Sequence, residues 1–452
     1  MYPTDKAPFS QLWQYAGNTR QLEIFSSDAT IESWLVTERA LASAQARNGV
    51  ITEEDASAIN EAAVLENIDR EKLWADAKNV GYPILGLVRQ ISAHLPEGPN
   101  GRVHYGATTQ DIMDTGLALQ MSASLEAIDE QLVRFGDALA ARAEEHKTTV
   151  MPGRTHAQQA IPTTFGATLA TYLEQVRRQR ERLSQALARV KVISLFGAGG
   201  NNAAQGKSAP RVRRDMAEIL GLSDPVVPWH VGRDVLGDYG WMCSSISGTV
   251  AKLGRNIVDL SRTEVGEVLE PYDSHRGASS TMPQKVNPIS SELMIGIATV
   301  AGALASSLPR LQESGHEPAA GEWQGEWLII PTLGNLAGAS LDEAIIVAEG
   351  MRVNAERMRS NLNFDGGLIM AEAQMMQLSP AMGREKAHDL VYEAATKARE
   401  TQTTLHEELP IIAEQHGVAD LLPEKFVEPA DYVGEATGIV ETAVGRWNAS
   451  RN

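Results

Sequence analysis

The stretch DIMDTGLALQMSASLEAIDEQLVRFGDAL, residues 111–139, decides the fold class. Its apolar positions Leu117, Met121, Leu125, Ile128, Leu132, Phe135 and Leu139 recur at alternating intervals of four and three. That is a helix with one apolar seam, and no proline interrupts it before Pro152. A second seam follows Pro162: Phe165, Leu169, Tyr172, Val176, Leu183, Leu187 and Val190. A third runs from Pro288 through Leu293, Val300, Leu304 and Leu308. The first two helices are each about 30 residues, hence roughly 45 Å long. Strand-like alternation is almost absent, so sheet content should be very low. Long helices joined by short Pro/Gly punctuation predict an all-α protein built on an elongated bundle. Shorter helical patterns flank it, at 31–48, 53–65 and 83–94, and again beyond Gly366-Gly367, where the chain can hinge. The expected division is three helical domains, residues 1–110, 111–365 and 366–452. No internal repeat or low-complexity tract is evident.

Composition narrows the function classes. A chain of 452 residues with 43% hydrophobic and 22% charged residues is ordinary for a globular protein with a large core. No run of roughly 20 apolar residues is read, so no membrane span is expected. The first residues, Met1-Tyr2-Pro3-Thr4-Asp5-Lys6, lack the pattern of a secretion signal. The net charge of −18 argues against nucleic acid and against anionic membrane surfaces as partners. A polycarboxylate substrate would therefore need local cations to overcome the global field. The single cysteine, Cys243, cannot form an internal disulfide, which suits the cytoplasm; its apolar neighbours mark it as an inert buried thiol. The ten histidines are scattered without ligand spacing, so neither a metal nor a cofactor is expected.

Chemistry-bearing residues gather at three places between the helices. The richest is Gly277-Ala278-Ser279-Ser280-Thr281-Met282-Pro283-Gln284-Lys285-Val286-Asn287-Pro288, with Glu292 just beyond. It sets the Ser279 and Ser280 hydroxyls, the Lys285 ammonium and the Asn287 amide on one proline-punctuated loop, with a helix starting near Pro288. A hydroxyl beside a cation that can hold a carboxylate is suited to moving a proton next to that carboxylate. The second cluster is His104-Tyr105-Gly106-Ala107-Thr108-Thr109-Gln110-Asp111, where Thr108 and Thr109 precede a helix. It reads equally as a carboxylate site or as a helix cap without ligand. The third is Gly153-Arg154-Thr155-His156-Ala157-Gln158, in which His156 is a possible proton donor or a structural loop histidine. Phe196-Gly197-Ala198-Gly199-Gly200-Asn201-Asn202 is glycine-rich but lacks the spacing of a nucleotide loop, and reads as a break that lets chain segments pack closely.

The first of these loops resembles the signature of the fumarase/aspartase superfamily, Gly-Ser-Ser-x-Met-Pro-x-Lys-x-Asn followed by Glu. Ala278 stands where the family usually has Gly. Gly106 to Thr115, reading Gly-x-Thr-x-x-Asp-x-x-Asp-Thr, and Thr155 to Gln158 resemble two further superfamily segments, in the right order. The resemblance implies enzymes that form or break a C–O or C–N bond beta to a carboxylate, working as homotetramers with each active site shared by three subunits. It implies Ser279 as the base, His156 as the opposing acid and Glu292 as the group orienting it. Lys285 and Asn287 would hold the carboxylate that becomes doubly charged. Thr108, Thr109 and Gln158 would hold other substrate oxygens, with Ser280 and His104 alongside them.

Within the superfamily, Gly321-Glu322-Trp323-Gln324-Gly325-Glu326-Trp327, Thr263 to Val268 and Gly366 to Ala373 resemble the 3-carboxy-cis,cis-muconate cycloisomerases of bacterial aromatic catabolism. The adenylosuccinate lyases share the branch. Their catalytic Thr-x-His-Asp has no counterpart in Asn79 to Arg89, and the acidic Glu313-Ser314-Gly315-His316-Glu317 would not welcome a phosphate. Pro283-Gln284-Lys285-Val286-Asn287 departs from the cycloisomerase pattern Pro-His-Lys-Arg-Asn. Arg276, ahead of the loop, either reads an extra substrate carboxylate or is a solvated loop charge. Two activities remain open: lactone-forming cycloisomerisation of a muconate, and elimination of an amine from an N-substituted aspartate. A crystallin-like structural role is a third class, and it predicts loss of a catalytic group.

Overall fold

The structure, a computed structural model, describes residues 10–313, 315 and 321–451. Residues 1–9 lie outside it, as do Ser314, His316 and Glu317 of the acidic stretch. The class is all-α. Among the described residues only four short strands occur, Val150–Thr155 paired antiparallel with Gln158–Thr164 and Val268–Leu269 with Arg352–Val353. The long helices are Thr109–Glu145, Phe165–Val190, Asp234–Leu260 and Glu322–Gly350.

Contacts group the chain into two compact units. The first collects the chain up to Gln131, Gln179–Val250 and Gly296–Asp342; the second collects Leu132–Arg178, Ala251–Ile295 and the chain from Glu343 onward. In the first unit Ile31, Leu35, Leu41, Ile59, Leu73, Leu87, Ile193 and Met216 form one buried cluster. Its helices start where the sequence offers caps: Ser26 accepts from Ala29 N, and Thr52 forms a reciprocal capping box with Asp55. The second unit carries its own cluster of Leu378, Leu390, Val391, Leu405, Leu409 and Ile412, behind a Thr404–Glu407 capping box. Trp447, fully buried, lies where a Cβ on Gly136 would fall 2.2 Å from its ring. Its Nε1 donates to Asp137 Oδ1 at 2.9 Å. Gly136 is therefore glycine for a packing reason.

The first two seams are buried as read, with Leu117 and Leu187 half-buried. The third is out of phase. Met294, Ile297 and Ala301 are buried, whereas Leu293 and Leu304 are half-buried and Val300 is 37% exposed. The Ile289–Ala305 helix is apolar on nearly every side, so periodicity could not choose its buried face. The same stretch corrects the membrane reading: Ile289–Leu311 is long and apolar enough to resemble a span, and most of it is not buried in this chain. The Glu322–Gly350 helix was not foreseen because Pro331 lies inside it.

Candidate active site

The signature loop, in the second unit, is pinched at its base. Asn287 N donates to Gly277 O at 2.8 Å, and Ala278 bridges Val286. Gly277 sits at φ +68, and a Cβ there would fall 2.3 Å from Asn287 O. Only glycine fits that close approach. Ala278 is not among the residues with positive φ, so the departure from the superfamily's glycine costs the backbone nothing. At the turn, Ser279 Oγ accepts from Thr281 N at 3.3 Å and Met282 N at 3.1 Å. Two backbone donors on one hydroxyl oxygen favour its alkoxide form. Lys285 is exposed, and its ammonium makes no hydrogen bond or ion pair among the described residues. The Ser280 hydroxyl and the Asn287 amide are likewise without side-chain partners there.

Residues outside the motif hold this loop. Glu270, 7% exposed, accepts from Ser290 N at 3.2 Å, Ser291 N at 2.7 Å and Ser291 Oγ at 2.7 Å, capping the helix that follows. Arg276 Nη2 lies 3.6 Å from Glu270 and donates to Ser290 Oγ, which donates to Glu343. Arg276 is therefore engaged within the loop base, neither a freely solvated charge nor a free cation. Glu270 and Glu343 were missed in the sequence because their task appears only once the chain folds back. Glu292 lies in the first helical turn with its carboxylate exposed.

His156 belongs to a β-hairpin that the sequence did not announce. His156 and Ala157 have φ of 50 and 63, the two left-handed residues of a tight turn between paired Thr155 and Gln158. The hairpin is held from behind. Arg154 forms a two-pronged pair with fully buried Glu267, at 2.8 and 2.5 Å. Asn361 Nδ2 donates to the same carboxylate at 2.7 Å, and Gln159 Nε2 donates to Asn361 O at 2.9 Å. The tip, with His156 and Gln158, is left exposed. No hydrogen bond joins His156 to Glu292 or Ser279 among the described residues.

In the first unit, Thr109 opens the Thr109–Glu145 helix and Asp111 organises its start. The Asp111 carboxylate, 2% exposed, accepts from Thr108 N at 3.0 Å, Phe196 N at 2.9 Å, Gly197 N at 2.9 Å and Ser194 Oγ at 3.3 Å. Burial raises its pKa against the pull of those backbone donors. It thus ties the glycine-rich segment to the Thr108–Thr109 cluster. One turn on, Asp114 pairs with Arg233 at 2.7 Å, and Arg233 with Glu326 at 2.5 Å, all three buried. His104 gives Nδ1 to Glu38 at 2.7 Å. Burial opposes its charge, but Glu38 and Asp111 outweigh that and raise its pKa. Its environment is that of a structural ion pair, which leaves only its other nitrogen for a ligand.

Known proteins are similar to this chain over nearly its whole length. A family described as lyase matches residues 6–302, and a domain described as the adenylosuccinate lyase C-terminus matches 367–443. A 3-carboxy-cis,cis-muconate cycloisomerase of Pseudomonas aeruginosa is 39% identical over 434 residues, covering 94% of each chain. The chain belongs to the fumarase/aspartase superfamily of lyases. As a superfamily member it is an enzyme, a lyase or cycloisomerase. It is also similar to an N-acetyl-S-(2-succino)cysteine lyase of Dickeya dadantii, 34% identical over 95% of this chain and 94% of that one. Among solved structures, the 3-carboxy-cis,cis-muconate lactonizing enzyme from Pseudomonas putida matches with a TM-score of 0.90 at 34% identity, covering 98% of this chain and 100% of that one.

Proposed function

We propose that this enzyme acts on a small polycarboxylate by moving a proton at Ser279, and that its reaction is the cycloisomerisation of a 3-carboxymuconate. A substrate carboxylate oxygen forms a C–O bond to one end of a double bond. The electron pair moves to the carbon beside a second carboxylate and is stored there as a doubly charged aci-carboxylate, which Lys285 and Asn287 hold. Ser279 delivers the proton to that carbon, and nothing leaves. In the reverse direction the Ser279 alkoxide takes the proton. His156, oriented by Glu292, supplies the opposing proton when the departing group needs one. Thr108, Thr109, Gln158 and Ser280 hold the remaining oxygens. The observation that carries the reading is Ser279 Oγ held by two backbone donors, on the same pinched loop as Lys285, whose ammonium has no partner among the described residues.

Three copies of the chain would contribute one cluster each, in a homotetramer. Its support is the apolar surface left on one chain: Ile289 is 40% exposed, Val300 37%, Trp327 40% and Leu328 68%. The single cysteine is fully buried, with its thiol pKa pushed up to about 12, which suits a cytoplasmic enzyme that makes no use of it. The three-part division at 110 and 365 is supported at its second break by a C-terminal family match that starts at 367.

The test is an ultraviolet assay with 3-carboxymuconate and simple muconates, following loss of diene absorbance. Fast loss that falls at least about 100-fold in Ser279→Ala is the expected result. Silence with both dienes, together with fumarate consumption in the presence of an amine, would replace this reading by elimination from an N-substituted aspartate. A relative named as a lyase of a sulfur-substituted succinate supports elimination in general, not release of an amine in particular. A structural, crystallin-like role is disfavoured by the presence of every catalytic group.

A further inference from the structure

His230 is absent from the mechanism, yet it is the least expected side chain in the first unit. It is 6% exposed, and among the described residues no hydrogen bond or ion pair reaches either ring nitrogen. Neither ring nitrogen is among the fully enclosed polar atoms that lack a partner, so the ring stays within reach of solvent and of a ligand. Its ring edge faces the glycine-rich segment: a Cβ on Gly200 would fall 2.8 Å from His230 Cε1 and 3.5 Å from Nε2. Gly200, at φ +72, closes a turn onto Gly197 O at 3.3 Å. Gly197 N and Thr108 N bond the same oxygen of Asp111. Gln110, next to Thr109, donates Nε2 to the His230 carbonyl at 2.8 Å and leaves its own buried Oε1 without a partner. A 37-residue helix start, two threonine hydroxyls, an unpaired imidazole and an unpaired amide oxygen are thus held on one short chain of contacts.

We infer that His230 is a specificity-determining residue of the Thr108–Thr109 carboxylate subsite, donating a ring N–H to a carboxylate of a polycarboxylate substrate. The glycine-rich segment is the second wall of that subsite, and Gly200 is glycine so that the ring can lie against it. The inference rests on the proposed polycarboxylate chemistry, but its test is independent of turnover. Citrate, an unreactive tricarboxylate, serves as the probe, titrated calorimetrically into the intact enzyme and its His230→Gln variant. About tenfold weaker citrate binding in the variant, with an unchanged unfolding temperature, is expected. Equal affinity overturns the inference. If neither muconate is turned over but His230→Gln still weakens citrate, the reaction assignment fails and the subsite stands. With an active enzyme, the variant should raise KM for 3-carboxymuconate about tenfold while kcat changes much less; a fall in kcat alone would overturn the assignment to binding. Should His230→Gln fold poorly, the wild-type protein decides. Diethylpyrocarbonate modification of His230, mapped by mass spectrometry, should be slowed by citrate. Labelling indifferent to citrate, or absent, counts against the inference.

Discussion

At the scale of single residues, Gly277 and Ala278 show how differently two small neighbours are constrained. Gly277→Ala would put a Cβ 2.3 Å from Asn287 O at a φ of +68. It should lower stability by more than about 1 kcal/mol and depress kcat by displacing Asn287, read by thermal unfolding and the diene assay together. Ala278→Gly should leave kcat unchanged, because that residue has an ordinary backbone. His104 offers a pH-dependent readout. Its folded pKa is raised above its ordinary value, so its pair with Glu38 stabilises the protein below about pH 6.5 and loses that contribution as pH rises through the folded value. The unfolding temperature of His104→Gln should therefore fall furthest short of wild type in mildly acidic buffer, with the gap narrowing toward alkaline pH. A gap independent of pH would mean the ring acts by packing alone. The motif residues Ser279, Lys285 and Asn287 were legible because their spacing is local. Glu270, Glu343 and Glu267 were not, because each works on a residue distant in sequence.

At the scale of elements, helices were read well where one face is apolar and poorly where all faces are. The His156 hairpin was invisible for another reason. Pro152 and Pro162 sit opposite each other in its strands, and its turn residues are His-Ala rather than Asn-Gly. What replaces strand propensity is the buried Arg154–Glu267 pair behind it. Arg154→Ala would leave a fully buried carboxylate without its counter-charge, held only by the Asn361 amide, at a cost of up to about 3–5 kcal/mol. The unfolding temperature should fall accordingly, and activity should fall with it as the His156 tip loses its anchor. Stability near wild type would show that the hairpin is held by its strand pairing instead.

At the scale of the whole molecule, the sequence and the single chain both point beyond one copy. The Ile289–Ala305 helix misled the seam reading because it has apolar residues to spare: one face is buried, and Ile289 and Val300 remain on the surface. Leu328, 68% exposed on the Glu322–Gly350 helix, adds to that surface. Water-exposed apolar surface on long helices is covered by another protein surface more cheaply than it is hydrated. A homotetramer would cover it with copies of the same chain and would also bring the exposed His156 tip, and Lys285, which has no side-chain partner among the described residues, to groups that one chain does not supply. The wild-type enzyme should therefore elute at about four times its chain mass of 48.9 kDa. Val300→Glu combined with Leu328→Glu touches no residue assigned to catalysis. It should break the assembly and abolish diene turnover while leaving far-ultraviolet helicity intact. A monomeric wild type with full activity would remove the need for shared sites, and one chain would then have to bring its own His156 to its own Ser279.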